Sequence, residues 1–330
     1  MIYIPAENTD VCYHLATEYY FATERQLDEP VFMFWHTTPT IVIGKYQNTL
    51  QELNQAYVDT HPVTVVRRLS GGGTVYYDLG GWCYSFVVRD GQEEISFERF
   101  LLPVQRALAE LGLKTEFSGR NDLLLDGKKF SGNAQYRIHG TTVHHGTLMY
   151  SVDLEAMVAA TQVDPEKFSS KGIRSVRSRV TNLAEHLDAG SKPTSEEFGA
   201  LLVRHIAKDA TVYVPSAEEK KRINEIADEM FRPWERIYGG NPKATYECKR
   251  RFGGGTVALG MELKQGKILS ARFSGDFFAT EQLPELEAKL VGCRYEKAAV
   301  LEILKQPCGD AIYAVSPEEL LTLFFPDDAL

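Results

Sequence analysis

The stretch from Arg67 to Trp82, "RRLSGGGTVYYDLGGW", decides how this chain is read. Three consecutive glycines stand between an arginine pair and a run of β-branched and aromatic residues. Glycine loses more backbone freedom on folding than any other residue, so it weakens helix and strand alike. A run of this kind is either a surface turn between strands or a loop whose bare backbone must approach a ligand. It lacks the G-x-x-x-x-G-K-[ST] spacing of a P-loop and the G-x-G-x-x-G helix entry of a dinucleotide fold. A glycine bend between strands remains. Such a bend can present N–H groups to an anion or let an elongated apolar ligand lie along the main chain.

Working outward, "HPVTVVRRLS" predicts a strand entering the glycines, and "TVYYDLGGWCYSFVVRD" predicts two strands about an Asp-Leu-Gly-Gly turn. Upstream, "VFMFWHTTPTIVIGK" predicts two strands broken at Thr37–Pro39, and "DVCYHLATEYYFATE" a helix with Val11, Leu15 and Tyr19 on one face. Downstream, "SFERFLLPVQRALAELG" predicts a helix whose Phe100, Leu101, Val104, Leu108 and Leu111 share a face, capped by Gly112.

In "NDLLLDGKKFSG", Asp126-Gly127 between short apolar runs is a two-residue hairpin signal. The simplest register pairs 125 with 128, 124 with 129 and 122 with 131. Asp122, Leu124, Lys129 and Ser131 then share one face, with Asp122 and Lys129 diagonal neighbours roughly 7–8 Å apart. His144 and His145 are adjacent on a predicted strand and point to opposite faces, so they do not jointly chelate a metal. The run Gly253–Gly255 reads as a hairpin turn, and Cys83 as a packed thiol with no His or Asp arranged to activate it.

The 330 residues suit one large and one small domain, and "YGGNPKATYE" is the turn-rich break between them. Residues 1–245 form the expected larger domain and 246–330 a small α+β domain. A net charge of −9 argues against general nucleic-acid binding. Five widely spaced cysteines without a C-x-x-C pair predict a reduced, cytoplasmic protein rather than a disulfide framework or zinc site. Neither a signal peptide nor a membrane span is predicted.

The string Arg67-Arg68-Leu69-Ser70-Gly71-Gly72-Gly73-Thr74-Val75 closely resembles the RRxSGGGxV signature of lipoate–protein ligases. "GRNDLLLDGKKFSGNA" (119–134) resembles their lysine-bearing motif. "PTIVIGKYQN" (39–48), "HHGTLMYSVDL" (144–154) and "KGIRSVRSRVTNL" (171–183) resemble further family segments, and "KRRFGGGTVALG" with "SGDFF" resembles the family's accessory domain. The resemblance implies an α+β fold: a large mixed or antiparallel sheet of the biotin/lipoate ligase type plus a small α+β accessory domain. It implies that ATP and Mg²⁺ activate lipoate to lipoyl-AMP. The lipoyl group then passes to a lysine of an acceptor, such as a glycine-cleavage H protein, an H-like protein or an E2 domain. A monomer without nucleic-acid or membrane partners is expected.

By the same resemblance Lys129 is the catalytic residue, contacting the lipoate carboxylate and the α-phosphate. Arg68, Gly73, Thr74, Val75, Tyr76 and Asn121 bind the nucleotide, while Ser70, Gly71 and Gly72 lie along the lipoyl chain. Asp122 holds Mg²⁺ or orients the lysine. Lys171, Arg174, Arg177 and Arg179 either dock an acidic acceptor, bind nucleotide or form a solvated surface. Two other readings stand beside the ligase: an ATP-independent octanoyl or lipoyl transferase, and a non-catalytic lipoyl-protein-binding relative. The chain departs from the family at Tyr77 and Gly81, where Tyr-His-Asp-Leu-Gly-Asn is usual, and "HLATEY" (14–19) replaces NLAxEE. Tyr77 and Gly81 are expected at the pocket rim, narrowing the choice of acceptor.

Overall fold

The computed structural model describes residues 1–49, 52–91, 95–118, 121–161, 178–188, 190, 192–238, 246–264 and 266–326. The chain divides into two compact units: Met1–Ile43, Leu50–Arg68 and Val75–Ile237 form the first, and Gly44–Thr49, Leu69–Thr74 and Tyr238–Leu330 the second. The class is α+β, as the sequence predicts.

In the first unit the strands are β1 (Ile2–Pro5), β2 (Val31–Trp35), β3 (Thr40–Ile43), β4 (Thr64–Arg67), β5 (Val75–Tyr77), β6 (Gly81–Arg89), β7 (Glu116–Ser118), β8 (Asp122–Leu125), β9 (Lys128–Ile138), β10 (Thr141–Met149) and β11 (Thr211–Val212). Eight of them form one mixed sheet in the order β11-β1-β2-β6-β10-β9-β8-β7. Its interior strand β2 is buried along its whole length, which is why "VFMFW" reads as a continuous apolar run rather than an alternating one. The turn after β5 forms as expected, with Gly81 N–H donating to Asp78 O at 3.0 Å. Its two strands belong to different sheets, however: β5 pairs with β3 in a three-stranded β4-β3-β5 sheet.

The helix Val11–Thr23 starts where Asp10 accepts a hydrogen bond from Cys12 N–H. It is buried on every side, and only Tyr19 and Thr23 are partly open. One flank packs on β6 and β10, and the other meets the helix Ala217–Met230. A helix between two layers has no solvent face, and this arrangement takes Glu18 into the interior at 0% exposure. The helix Glu98–Glu110 buries Phe100, Leu101, Val104 and Leu108, and Gly112 follows it at φ +82°. Both features match the sequence reading except at Leu111, which is the half-buried C-cap residue rather than part of the buried face.

In the second unit β12 (Tyr246–Phe252), β13 (Gly255–Lys264) and β14 (Lys267–Gly275) form an antiparallel sheet. Val257, Leu259, Met261 and Phe273 pack with Leu286, Val300 and Leu320 from three helices. Gly253-Gly254 makes the β12–β13 turn, because Phe252 pairs with Gly255. The expected break lies mostly at 239–245, outside the described residues. Among the described residues no helix is long and apolar enough to cross a membrane.

Candidate active site

The hairpin carrying Lys129 turns as its sequence predicts. Asp126 and Gly127 both adopt positive φ, +50° and +74°, the geometry that a two-residue type I′ turn requires. Leu125 pairs with Lys128 and Leu124 with Lys129. Beyond that point the register differs from the simple expectation. A bulge shifts β9 by one residue, so Leu123 faces Ser131 and Asp122 faces Gly132. The extra residue on β9 is Phe130, whose side chain is fully buried. An unbroken ladder would already set Phe130 opposite Leu123 on the buried face; the bulge instead brings Ser131, also fully buried, opposite Leu123.

The bulge leaves Lys129 close to Asp122, with Nζ 2.8 Å from Oδ1 and the two side chains 41% and 33% exposed. Gly132 makes room for this pair, since a Cβ there would stand 3.2 Å from Lys129 Nζ and 3.3 Å from Cε. On the other edge of the strand, Lys129 N–H donates to Arg179 O at 2.9 Å, and its carbonyl accepts from Thr181 N–H at 3.0 Å. Asn121 is engaged with Asn133: Asn121 Nδ2 donates to Asn133 O at 2.7 Å, and Asn133 N–H donates to Asn121 O at 2.9 Å. Lys129, Asp122 and Asn121 are therefore brought together. Lys171, Arg174 and Arg177 lie outside the described residues.

The arginine pair splits by role. Arg67 donates Nε and Nη2 to the carbonyls of Arg236 and Ile237, both at 2.9 Å. Arg68 turns inward. It is 5% exposed, and its Nη1 donates to Val42 O at 3.2 Å. Burial lowers its guanidinium pKa to about 10, against Tyr77 and Cys83, which raise it. A positive charge held in low dielectric acts over a longer reach than one in water.

Tyr77 is 6% exposed. This corrects the expectation of a rim position, because β5 directs both Tyr76 and Tyr77 into the interior. Burial pushes the Tyr77 phenol and the Cys83 thiol well up, so both stay protonated and Cys83 is a packed thiol. Gly81 is likewise buried. Deeper in the unit, Glu18 accepts from Ser85 Oγ and lies 3.0 Å from His145 Nδ1. His144 stacks on Phe100 at 4.6 Å and contacts Gln135 at 3.1 Å. The two histidines do diverge. The Glu18–His145 contact escapes sequence reading because its partners are 127 positions apart and belong to no short motif.

The glycines themselves belong to the second unit. Gly72 N–H donates to Phe277 O at 2.9 Å. A Cβ on Gly71 would stand 2.2 Å from that same oxygen and 3.0 Å from Phe278 Cα. Ser70 O accepts from Lys45 N–H at 2.8 Å, Thr74 Oγ1 donates to Gln47 at 2.9 Å, and Tyr46 stacks on Phe277 at 4.9 Å. Ser70–Thr74 thus form a backbone-on-backbone cassette with 44–49 and 275–278, where a side chain at Gly71 has no space.

Residues 10–207 match the lipoyl protein ligase A/B catalytic domain, and residues 241–324 match the bacterial lipoate protein ligase C-terminus. The chain belongs to the lipoate–protein ligase family. A lipoate–protein ligase of Bacillus subtilis (strain 168), LplJ, is 39% identical over 312 residues, 92% of this chain and 94% of that protein. A Streptococcus pyogenes lipoate–protein ligase is 37% identical over 325 residues, 96% of both chains. Among solved structures, P. falciparum LipL1 in complex with lipoate superposes with a TM-score of 0.78 at 21% identity, covering 97% of this chain and 96% of that one. Lipoate–protein ligase A bound with ATP gives a TM-score of 0.60 at 21% identity over 72% of this chain and 98% of that one. These likenesses support the same fold, with the accessory domain present in this ligase as a folded α+β unit.

Proposed function

We propose that this lipoate–protein ligase works in two steps through the site around Lys129. A lipoate carboxylate oxygen attacks the α-phosphorus of ATP. The bond to the β-phosphate breaks, releasing pyrophosphate and leaving lipoyl-AMP. An acceptor lysine amine then attacks the acyl carbon, AMP departs, and the amine loses its proton as the amide forms. The observation that carries this reading is the Lys129 ammonium, held 2.8 Å from Asp122 on a half-exposed hairpin. A fixed compact cation is what brings a carboxylate to a polyphosphate and offsets the charge of the reacting phosphate.

In this reading Lys129 contacts both the carboxylate and the α-phosphate. Arg68, Gly73, Thr74, Val75, Tyr76 and Asn121 serve the nucleotide. Ser70, Gly71 and Gly72 serve the lipoyl chain. Mg²⁺ fits the donor set in one way. Among the described residues no three His, Cys, Asp or Glu side chains gather as a metal cage, and Mg²⁺ is ordinarily held by one or two carboxylates together with substrate phosphates. Asp122 would hold the ion, which would neutralise phosphate charge, or else orient Lys129, its partner at 2.8 Å. The acceptor is an H protein, an H-like protein or an E2 domain, and the working form is a monomer. All five cysteines are unpaired by disulfides, which suits work in a reducing cytoplasm.

Lipoate-dependent exchange of pyrophosphate with ATP tests the first step. Signal above background is expected with lipoate and Mg²⁺. Its absence from folded protein would favour a carrier-dependent transferase.

A further inference from the structure

The hairpin bearing Lys129 is secured by a chain of side chains that the proposed reaction does not use. In a two-residue hairpin the closing pair, Leu125 and Lys128, exchanges backbone hydrogen bonds, so the next pair points its N–H and C=O groups away. Lys129 therefore offers both main-chain groups to the outer side of β9. Residues 179–181 fill that place in a parallel bridge between Lys129 and Val180, accepting at Arg179 O and donating from Thr181 N–H.

Side chains then tie that segment to the tip of the same hairpin. His186 Nε2 lies 2.8 Å from Thr181 Oγ1, and His186 Nδ1 lies 3.1 Å from Asp126 Oδ2. An ionised carboxylate only accepts, so the neutral tautomer that serves both contacts carries its hydrogen on Nδ1 and accepts a hydrogen bond from the Thr181 hydroxyl at Nε2. Thr181 is 3% exposed, so this hydroxyl bond is shielded from water. The result is a closed loop from the Asp126 turn through His186 and Thr181 to the Lys129 carbonyl and back along the chain.

We propose that His186 is a positioning residue for Lys129: by bridging Asp126 and Thr181 it clamps residues 179–181 onto the Lys129 backbone and fixes where the ammonium stands. This rests on Lys129 acting in adenylation. Catalytic groups need placement within roughly 0.5 Å, and misplacement by about 1 Å lowers rates up to about 10²-fold. The clamp needs a hydroxyl at 181 and an imidazole at 186, and nothing from either at the substrate.

The test uses the full-length protein. His186→Ala and Thr181→Val should each lower kcat for lipoate-dependent ATP–pyrophosphate exchange about tenfold, a partial misplacement, with KM for ATP and lipoate unchanged within about twofold. Thr181→Ser keeps the hydroxyl and should retain near-wild-type kcat. The double variant should be no slower than either single one, because both break one connection. Hydrogen exchange at the Lys129 and Thr181 amides should rise in His186→Ala and Thr181→Val while the melting temperature holds. Wild-type kcat in both variants, unchanged amide protection, or a kcat loss that only tracks melting would overturn the clamp. If the wild type shows no exchange activity, the ligase reading fails, and amide protection still decides the clamp.

Discussion

Lys129 Nζ lies 2.8 Å from Asp122 Oδ1 although the two are not cross-strand partners: Lys129 faces Leu124, and Asp122 faces Gly132. Positions at diagonal spacing lie roughly 7–8 Å apart, a gap that the lysine and aspartate side chains span, and the contact persists across the one-residue bulge on β9. The ammonium thus stands beside a carboxylate yet stays open on its other side.

Lys129→Ala is expected to cut adenylation by roughly 10²–10³, the scale for losing one preorganised electrostatic contact. Lys128→Ala is the control. Lys128 is exposed and closes the turn opposite Leu125, so its loss should leave exchange kinetics near wild type. A larger loss at 128 than at 129 would move the catalytic role.

Gly132→Ala probes the same pair without touching either charge. The added methyl would press on the Lys129 side chain at 3.2 Å from Nζ, so the side chain must shift by a few tenths of an ångström. The protein should stay folded with kcat reduced by about tenfold, a fraction of what an ångström of misplacement causes. An unchanged rate in steady-state exchange would show that the ammonium tolerates displacement.

Stability should fall in mild acid. His14 is 1% exposed and stacks on Trp35 at 4.7 Å. Burial lowers its pKa from 6.5 to about 4, outweighing a hydrogen bond to Asn8 O that raises it. Below pH 6.5 the unfolded chain takes up a proton that the folded chain refuses, so the stability present above pH 6.5 is lost as pH falls toward 4. The loss from this group reaches about 3 kcal/mol. The depressed His144, also desolvated by burial, adds to it with the same sign. Urea unfolding at pH 7.5 and pH 5 measures the slope, and His14→Phe should flatten it.

Tyr77→His places an ionisable ring beside the buried Arg68 and Cys83. A side chain this deep reaches no docking protein, so the substitution should alter lipoate adenylation and leave the ratio of H-type to E2-type acceptors unchanged. The measurement is single-turnover transfer from supplied lipoyl-AMP to each acceptor. A shifted ratio would return Tyr77 to acceptor selection.

Local signals were legible wherever backbone chemistry dominates. Asp126-Gly127 announced its turn because few residues tolerate two successive positive φ angles. The buried face of Glu98–Glu110 followed from its spacing. The bulge at Phe130 was not legible, since the local strand pattern fits an unbroken ladder equally well. Nor was the full burial of the helix Val11–Thr23, which needs the helix Ala217–Met230 on its far side.

By itself the sequence determined the family, the α+β class and the lysine on its hairpin, because these rest on contiguous motifs and short-range geometry. The tertiary structure alone decided which charges act together. Asp122 met Lys129 at 2.8 Å, Arg68 went inside, and His186 joined Asp126 to Thr181 across 60 positions and 5 positions of chain. It also gave the glycines their neighbour, the carbonyl of Phe277 against Gly71 and Gly72. Hydrogen bonds and ion pairs depend on distances of about 3 Å between atoms, and residues far apart in sequence acquire such distances only when the core between them has packed.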